Sequence, residues 1–347
     1  KTYIGTTGDV RNYILNPEFA YSQRGTAITA TTPFADANND GAAIIDMYRI
    51  VSDGDDIVDI NQTETDVPTG SKTAIELDVE TADKKFGIVQ FIENVNCESI
   101  IGQEVTLSFQ AKATSALDDV RAAIIAWSST EDAPTTDIIN AWEAEGTNPT
   151  LASNFTYENT PADLNVTTSF AKYSVTATID TSSTTNVAIF IWSNVTGTTA
   201  GTDKLHISQV QLEKGDTASD FSFPSFGDVV ESCRRYLYFK FQQGNDFDTG
   251  TIANGHAFTT SARLACVLQT PMRLRGTITF TGMRYIGAGS GNVTGVTALA
   301  EDDGKNITVN AFNVSYSSNA AMTSGSALYV TPGQVNGFFS ISAELGA

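Results

Sequence analysis

Asp36-Ala37-Asn38-Asn39-Asp40-Gly41 places side-chain oxygens at alternate positions before a glycine, as the first half of a calcium loop does. Asp36, Asn38 and Asp40 are therefore candidate Ca2+ ligands, and Ca2+ is the one cofactor the sequence suggests. The position that should carry a bidentate glutamate holds Met47, with Asp46 one residue early, so a plain acidic turn competes with that reading. For acid–base chemistry on a sugar, the best-placed carboxylates are Glu143 and Glu145 beside Trp142. His206 sits in a strand pattern and His256 in a Gly-rich loop, neither near a nucleophile motif, so a Ser or Cys triad has no support. The run GAGSG at 287–291 lacks the lysine and following helix of a phosphate loop. These absences lead us to expect a protein that is not an enzyme.

Binding chemistry is better represented. A tryptophan face stacks on a pyranose while carboxylates and amides bond its hydroxyls. Trp127 and Trp192 end apolar runs and read as core, whereas Trp142 lies in a polar stretch and is a candidate glycan contact. Arg263, Arg273, Arg275 and Arg284 cluster around TITF, and Arg273 and Arg275 share a parity. Those two are candidates for an anionic glycan or receptor; a solvated face, or ion pairs with an acidic partner domain, is the alternative. Cys97, Cys233 and Cys266 are too few and too far apart for a thiolate metal site, and read as small buried residues, with a pairing of Cys97 left open. Seven N-x-S/T sequons, starting at Asn61, Asn154, Asn165, Asn194, Asn292, Asn306 and Asn313, fit a chain rich in Thr and Asn.

At 347 residues and 41% hydrophobic content the chain can build one large or two medium domains. Residues 1–226 hold 32 acidic and 12 basic residues, which accounts for the whole net charge of −20, while residues 227–347 hold eight of each. So acidic a surface repels polyphosphate, so no nucleic-acid partner is expected. Nothing approaches the roughly 18 consecutive apolar residues that span a bilayer, so no membrane insertion is expected. The first residues, KTYIGTTGDVR, show no apolar leader, and a start at Lys1 suggests a fragment or processed product.

The elements that must position these residues are strands. Short strands are expected at Tyr13–Leu15 and Ala27–Ala30, then longer ones at Thr73–Val79, Phe86–Ile92, Glu104–Ala113, Arg121–Trp127, Ala171–Ile179, Val187–Trp192 and Leu205–Leu212, separated by Gly, Asn, Asp and Thr clusters. Val105, Leu107, Phe109, Ala111 and Ala113 alternate without a break, so one face of that strand serves a core. A switch of parity near Ser208 and Gln209 predicts a bulge. Ile138, Ile139 and Trp142, at near-helical spacing, predict a surface helix or ordered loop over Thr136–Glu145. Asp228 and Glu231 have capping-box form and predict a short helix. Beyond it, strands are expected at 236–242, 262–269, 276–281, 306–316, 327–330 and 338–343, with long exposed loops at 242–255 and 286–295.

One combination of motifs is specific. Gln211-Leu212-Glu213, Gly215, Phe221, then Glu231, Cys233, Arg235 and Tyr236, preceded by NYILNPEFAYSQRGT (12–26), IDMYRI (45–50), QFIENVNCESIIGQEVTLSFQAKA (90–113) and SFAKYSVTATI (169–179), resembles bacteriophage tail-fibre and related virion adhesion proteins over about two thirds of the chain. It departs at Asp46-Met47-Tyr48, where the family more often has Trp, and at Leu237, where a second Tyr is usual. With the strand spacing, the resemblance implies an all-β protein: an N-terminal extension (1–11), an acidic jelly-roll β-sandwich similar to carbohydrate-binding modules (12–226), a helical hinge (227–236), and a smaller C-terminal β-sandwich (237–347) as receptor-binding domain. It further implies a homotrimer on the virion exterior, partnered by other tail or capsid proteins and by a host surface glycan or receptor. A decoration or scaffold protein without a receptor, and a polysaccharide depolymerase, are the alternatives.

Overall fold

The structure, a computed structural model, describes residues 12–29, 39–241, 253–257, 261–268, 270, 272–273, 277–281, 283–287, 296–301, 311–318, 327–332 and 338–345. The chain is all-β and forms two compact units, Lys1–Val229 with Leu345–Ala347, and Val230–Glu344.

The first unit contains β1 (Ala27–Ile28), β2 (Arg49–Ser52), β3 (Val58–Thr63), β4 (Ala74–Val79), β5 (Phe86–Ile92), a one-turn helix α1 (Asn94–Cys97), β6 (Glu104–Ala113), β7 (Val120–Trp127), β8 (Ile139–Ala141), β9 (Thr150–Leu151), β10 (Phe155–Tyr157), β11 (Ala171–Thr178), β12 (Asn186–Ser193) and β13 (Lys204–Lys214). A six-stranded sheet runs β1-β3-β4-β13-β6-β11 and a five-stranded sheet β10-β7-β12-β5-β2. Every pairing is antiparallel, and neighbours are mostly distant in sequence, which is the jelly-roll connectivity. Between the sheets, Val105, Leu107, Phe109 and Ala111 of β6 join Ile75, Leu77, Ile88, Ile124, Ile189, Leu205 and Ile207 in one core.

The bulge is where the parity switch predicts it, with the register of β13 on β6 shifting between Ser208 and Gln211 and Gln209 at φ 52°. It releases the backbone of Val210, whose N–H donates to Pro17 O and whose carbonyl accepts from Asn12 Nδ2. The Tyr13–Leu15 strand does not form, because side chains take the place of a ladder there: Gln90 Nε2 donates to Leu15 O at 2.9 Å and Leu15 N–H donates to Gln90 Oε1 at 2.8 Å. Asp46 accepts from the N–H and Nε2 of Gln23, and Tyr48 packs on Phe19 with centroids 4.4 Å apart. The peptide after β13 is strapped to the six-stranded sheet, Ser219 donating from N and Oγ to Glu213, and Ser222 N–H to Gln211 Oε1.

Thr136–Glu145, expected as a surface helix or an ordered loop, holds no helix: it is an ordered loop around β8, which pairs with β9. Its apolar residues face a sheet rather than a helix partner: Ile138 and Ile139 are buried on the outer face of the five-stranded sheet. β5, β7 and β12 are therefore buried along their whole length, inward residues in the main core and outward residues under this cover.

Helix α2 (Phe226–Arg234) crosses the division between the units. It starts two residues before Asp228, because Ser225 Oγ, not Asp228, accepts from the Asp228 N–H and serves as cap. The second unit is a smaller β-sandwich of β14 (Leu237–Phe241), β15 (Ala253–Ala257), β16 (Ser261–Val267), β17 (Thr277–Thr281), β18 (Met283–Gly287), β19 (Val296–Glu301), β20 (Ala311–Ser318), β21 (Ala327–Pro332) and β22 (Phe338–Ser342). Its sheets are β14-β22-β17 and β18-β21-β15-β16-β20-β19. Three of these strands are not expected from the sequence: β15 lies partly inside the Gly- and Asn-rich stretch expected as a loop at 242–255, β18 reaches into that at 286–295, and β19 has no sequence signal beyond Val296 and Leu299.

Candidate functional site

The outer face of the five-stranded sheet is an aromatic floor. Phe190 and Trp192, two apart on β12, stack with centroids 4.4 Å apart and planes 8° from parallel. Gly87 lies opposite Trp192 in the ladder and leaves room for it, since a Cβ there would stand 2.4 Å from Ile191 O and 2.5 Å from Trp192 Cβ. Trp127 packs on Phe155, Tyr157 lies against Trp192, and Trp142 lies against Phe190. Trp127, Phe190 and Trp192 are buried, whereas Trp142 and Tyr157 are half-buried at the rim.

The turn that carries Trp142 is held from below by two buried cations. Lys85 Nζ is surrounded by the carbonyls of Trp142, Glu143 and Ala144 at 3.2, 3.1 and 3.0 Å and by Asn194 Oδ1 at 2.8 Å. Those three carbonyls converge because Glu143 adopts φ 48°, a left-handed conformation that costs a non-glycine residue energy unless its surroundings impose it. Arg121 donates to Gly146 O at 3.0 Å and Asn148 Oδ1 at 2.7 Å, and its Nε and Nη2 grip both oxygens of Asp119 at 2.7 and 2.8 Å. Asn194 Nδ2 donates to Asp119 as well, at 3.0 Å. Burial first, then the nearby Arg121 charge, lowers the Lys85 pKa. Burial alone would raise Asp119, but hydrogen bonds from Arg121 and Asn194 and the charges of Arg121 and Lys85 outweigh it and leave it below the usual range.

The loop presents a half-buried indole beside exposed Glu143, Glu145 and Thr147. Glu143 accepts from Thr150 Oγ1. Glu145 accepts from the Thr196 hydroxyl at 2.6 Å and its N–H at 2.8 Å, and these bonds hold its carboxyl below the usual range. A preset loop offering an apolar ring and acceptor oxygens can dock a polyol without rearranging. An acid held ionised is poorly suited to protonate a leaving group.

The other sequence candidates are dispersed. Asp40 is half-buried, its Oδ1 accepts from Ser52 N–H at 2.8 Å, and burial pushes its pKa up to about 6; Asp36 and Asn38 lie outside the described residues. Arg273, half-buried, donates from Nε to Ala343 O at 3.1 Å, and Arg275 lies outside the described residues. Cys97 and Cys233 are buried free thiols, and burial pushes that of Cys97 up to about 12; the Cys266 and His256 side chains lie outside the described residues. His206 is buried in the six-stranded sheet, its Nε2 3.0 Å from Glu76 and 3.3 Å from Asp66. Sequence reasoning missed one cluster, Asp56, Asp59 and Glu80, whose oxygens lie within 4.8 Å of one another, close enough to share a cation or a proton. It also missed Lys85, Asp119, Arg121 and Asn194, which become neighbours only through the β5-β12-β7 pairing.

No family model matches the chain, and no curated protein matches it. Among solved structures it is similar to the enzymatically active domain of bacteriophage CBA120 tailspike protein 4, at 16% identity and a TM-score of 0.31, over 53% of this chain and 22% of that one. It is also similar to the CBM22-1 xylan-binding domain of Paenibacillus barcinonensis Xyn10C, at 8% identity and a TM-score of 0.32, over 61% of this chain and 100% of that one. A third likeness is to TmCBM61 in complex with β-1,4-galactotriose, at 10% identity and a TM-score of 0.30, over 59% of this chain and 99% of that one. The fold assignment rests on the strand order of this chain and not on these likenesses.

Proposed function

We propose that the chain is a non-enzymatic attachment protein of a bacteriophage particle, and that its jelly-roll unit binds a host surface glycan at the Trp142 loop. One observation carries the reading: a half-buried tryptophan at the rim of the aromatic floor, on a strained turn fixed by Lys85 and Arg121 and flanked by exposed carboxylates. Holding backbone strain with buried cations has a stability cost, and a binding surface recovers it as lower ordering entropy on docking. The sequence resemblance supplies the virion setting and the homotrimer. The lowered pKa of Glu145, which keeps it ionised and so unsuited to act as general acid, favours binding over depolymerisation.

The test is titration of host surface polysaccharide, or an array of its oligosaccharides, against wild type and Trp142→Ala. Wild type is expected to bind, and Trp142→Ala to weaken binding at least about tenfold, the loss of about 1.4 kcal/mol of stacking, with the circular dichroism spectrum unchanged. Equal binding by both proteins removes the loop from the glycan site. New reducing ends in the wild-type incubation would replace the reading with the depolymerase one.

A further inference from the structure

Beyond β5 and β12 the ladder that pairs Phe86 with Ser193 leads to Lys85 opposite Asn194. Both side chains are buried, at 1% and 0% exposure. The Asn194 carboxamide is oriented at both ends: its oxygen meets the Lys85 amine at 2.8 Å and its nitrogen donates to Asp119 at 3.0 Å. An amine, an amide and a carboxylate thus stand in order inside the protein. Burial disfavours the ammonium and so favours the nucleophilic amine. Arg121 binds both Asp119 oxygens, and Oδ2, the one its Nη2 grips, also accepts from the Asn194 amide nitrogen.

We propose that this trio is a self-modification site, at which Lys85 displaces ammonia from Asn194 and forms an amide cross-link between the ends of β5 and β12. The Lys85 Nζ to Asn194 Cγ bond forms and the Cγ–Nδ2 bond breaks. The ammonium form of Lys85 gives up two protons to the departing nitrogen, which leaves as ammonium. The protons pass from Nζ to that nitrogen directly; Asp119, held ionised against it, stabilises the departing ammonium as catalytic residue, and Arg121 is a positioning residue. Atoms and charge balance without an oxidant or cofactor. In solution an amine and a carboxamide do not react on a useful timescale; fixed contact in a water-excluded site supplies the effective concentration that free reagents lack. Escape of ammonium to bulk solvent makes the step one-way. The product closes a loop across a sequence separation of 109 residues, a covalent restraint on the unfolded chain. Nζ keeps one N–H for the Trp142 turn. The cross-link replaces the three Lys85 bonds to that turn by one and leaves the Arg121 bonds in place, and intact mass decides it without reference to glycan binding.

Intact-mass measurement of the denatured full chain reads the outcome. The expected mass is below the sequence mass by one ammonia, with a branched tryptic peptide joining the segments of Lys85 and Asn194. Lys85→Arg should restore the full sequence mass, and Asp119→Asn should give a folded protein that cross-links at least about tenfold more slowly. If a variant does not fold, the wild-type mass still decides. Full sequence mass after prolonged incubation at mildly alkaline pH overturns the proposal. So does loss of ammonia without the branched peptide, since that is the signature of succinimide formation.

Discussion

His206 shows how burial decides against charge at a single residue. Two carboxylates, Glu76 and Asp66, face its Nε2 and favour the imidazolium, while Lys112, paired with Asp66, opposes it. Lys204 is bonded to Glu76 and Asp78, so much of the acidic field is already neutralised. Burial is the larger influence and lowers the pKa below its ordinary 6.5. The folded state then binds a proton less readily than the unfolded one, so the stability His206 provides is present above 6.5 and is lost as pH falls through the folded pKa. Acids with raised pKa, such as Asp40 and Glu80, act in the opposite sense. The clean measurement is therefore a difference: melting temperatures of wild type and His206→Gln between about pH 7.5 and about pH 5. Wild type should lose more on acidification than the variant, and parallel curves would show that His206 does not titrate differently in the folded state.

At the scale of elements, Gly87 makes the aromatic floor possible. The contacts a Cβ would make, with backbone on one side and Trp192 on the other, leave no flexible side chain to move aside. Gly87→Ala should destabilise the jelly roll by about 3 kcal/mol, the upper end of overpacking costs, and shift Trp192 fluorescence; denaturant unfolding measures both. A loss within about 0.5 kcal/mol would mean that β5 and β12 can separate at this point. Strand reading from the sequence worked where the chain alternates, as in β6 and β11, and where apolar runs were long enough, as in β5, β7 and β12. It failed at β8 and β9, because strands of two or three residues carry no period and Ile138, Ile139 and Trp142 fit a helix equally well. Trp142 was legible as a candidate because a large aromatic in a polar stretch stands out. Its supports were not, since Lys85, Arg121 and Asn194 are ordinary in type and separated by dozens of residues. The motif residues carrying the resemblance proved to be fasteners: Asn12, Gln90, Gln211 and Glu213 bond backbone rather than face an open site.

For the whole molecule, the question is what covers the aromatics that the first unit leaves outside. Phe223 is 52% exposed and Phe226 61% exposed, while nearly every other large apolar side chain among the described residues is at least half-buried. They sit on the strapped peptide and at the start of α2, with Phe221 edge-on to Phe223 at 4.8 Å and Tyr21 edge-on to Phe226 at 6.3 Å. A net charge of −20 would keep copies apart if the acidic surfaces met, so self-association needs a place where apolar contact outweighs repulsion. If the chain forms the homotrimer proposed from the sequence resemblance, these rings are the surface we propose for its contacts, their burial being worth roughly 1.5 kcal/mol or more for each fully covered phenylalanine. Multi-angle light scattering at micromolar concentration should give three times the chain mass. The double variant Phe223→Ser with Phe226→Ser should shift the population toward monomer, and raising the salt concentration should strengthen the wild-type assembly by screening like charge. A wild-type monomer under these conditions would sink the trimer. An unaltered trimer in the double variant would move its contacts away from the strapped peptide.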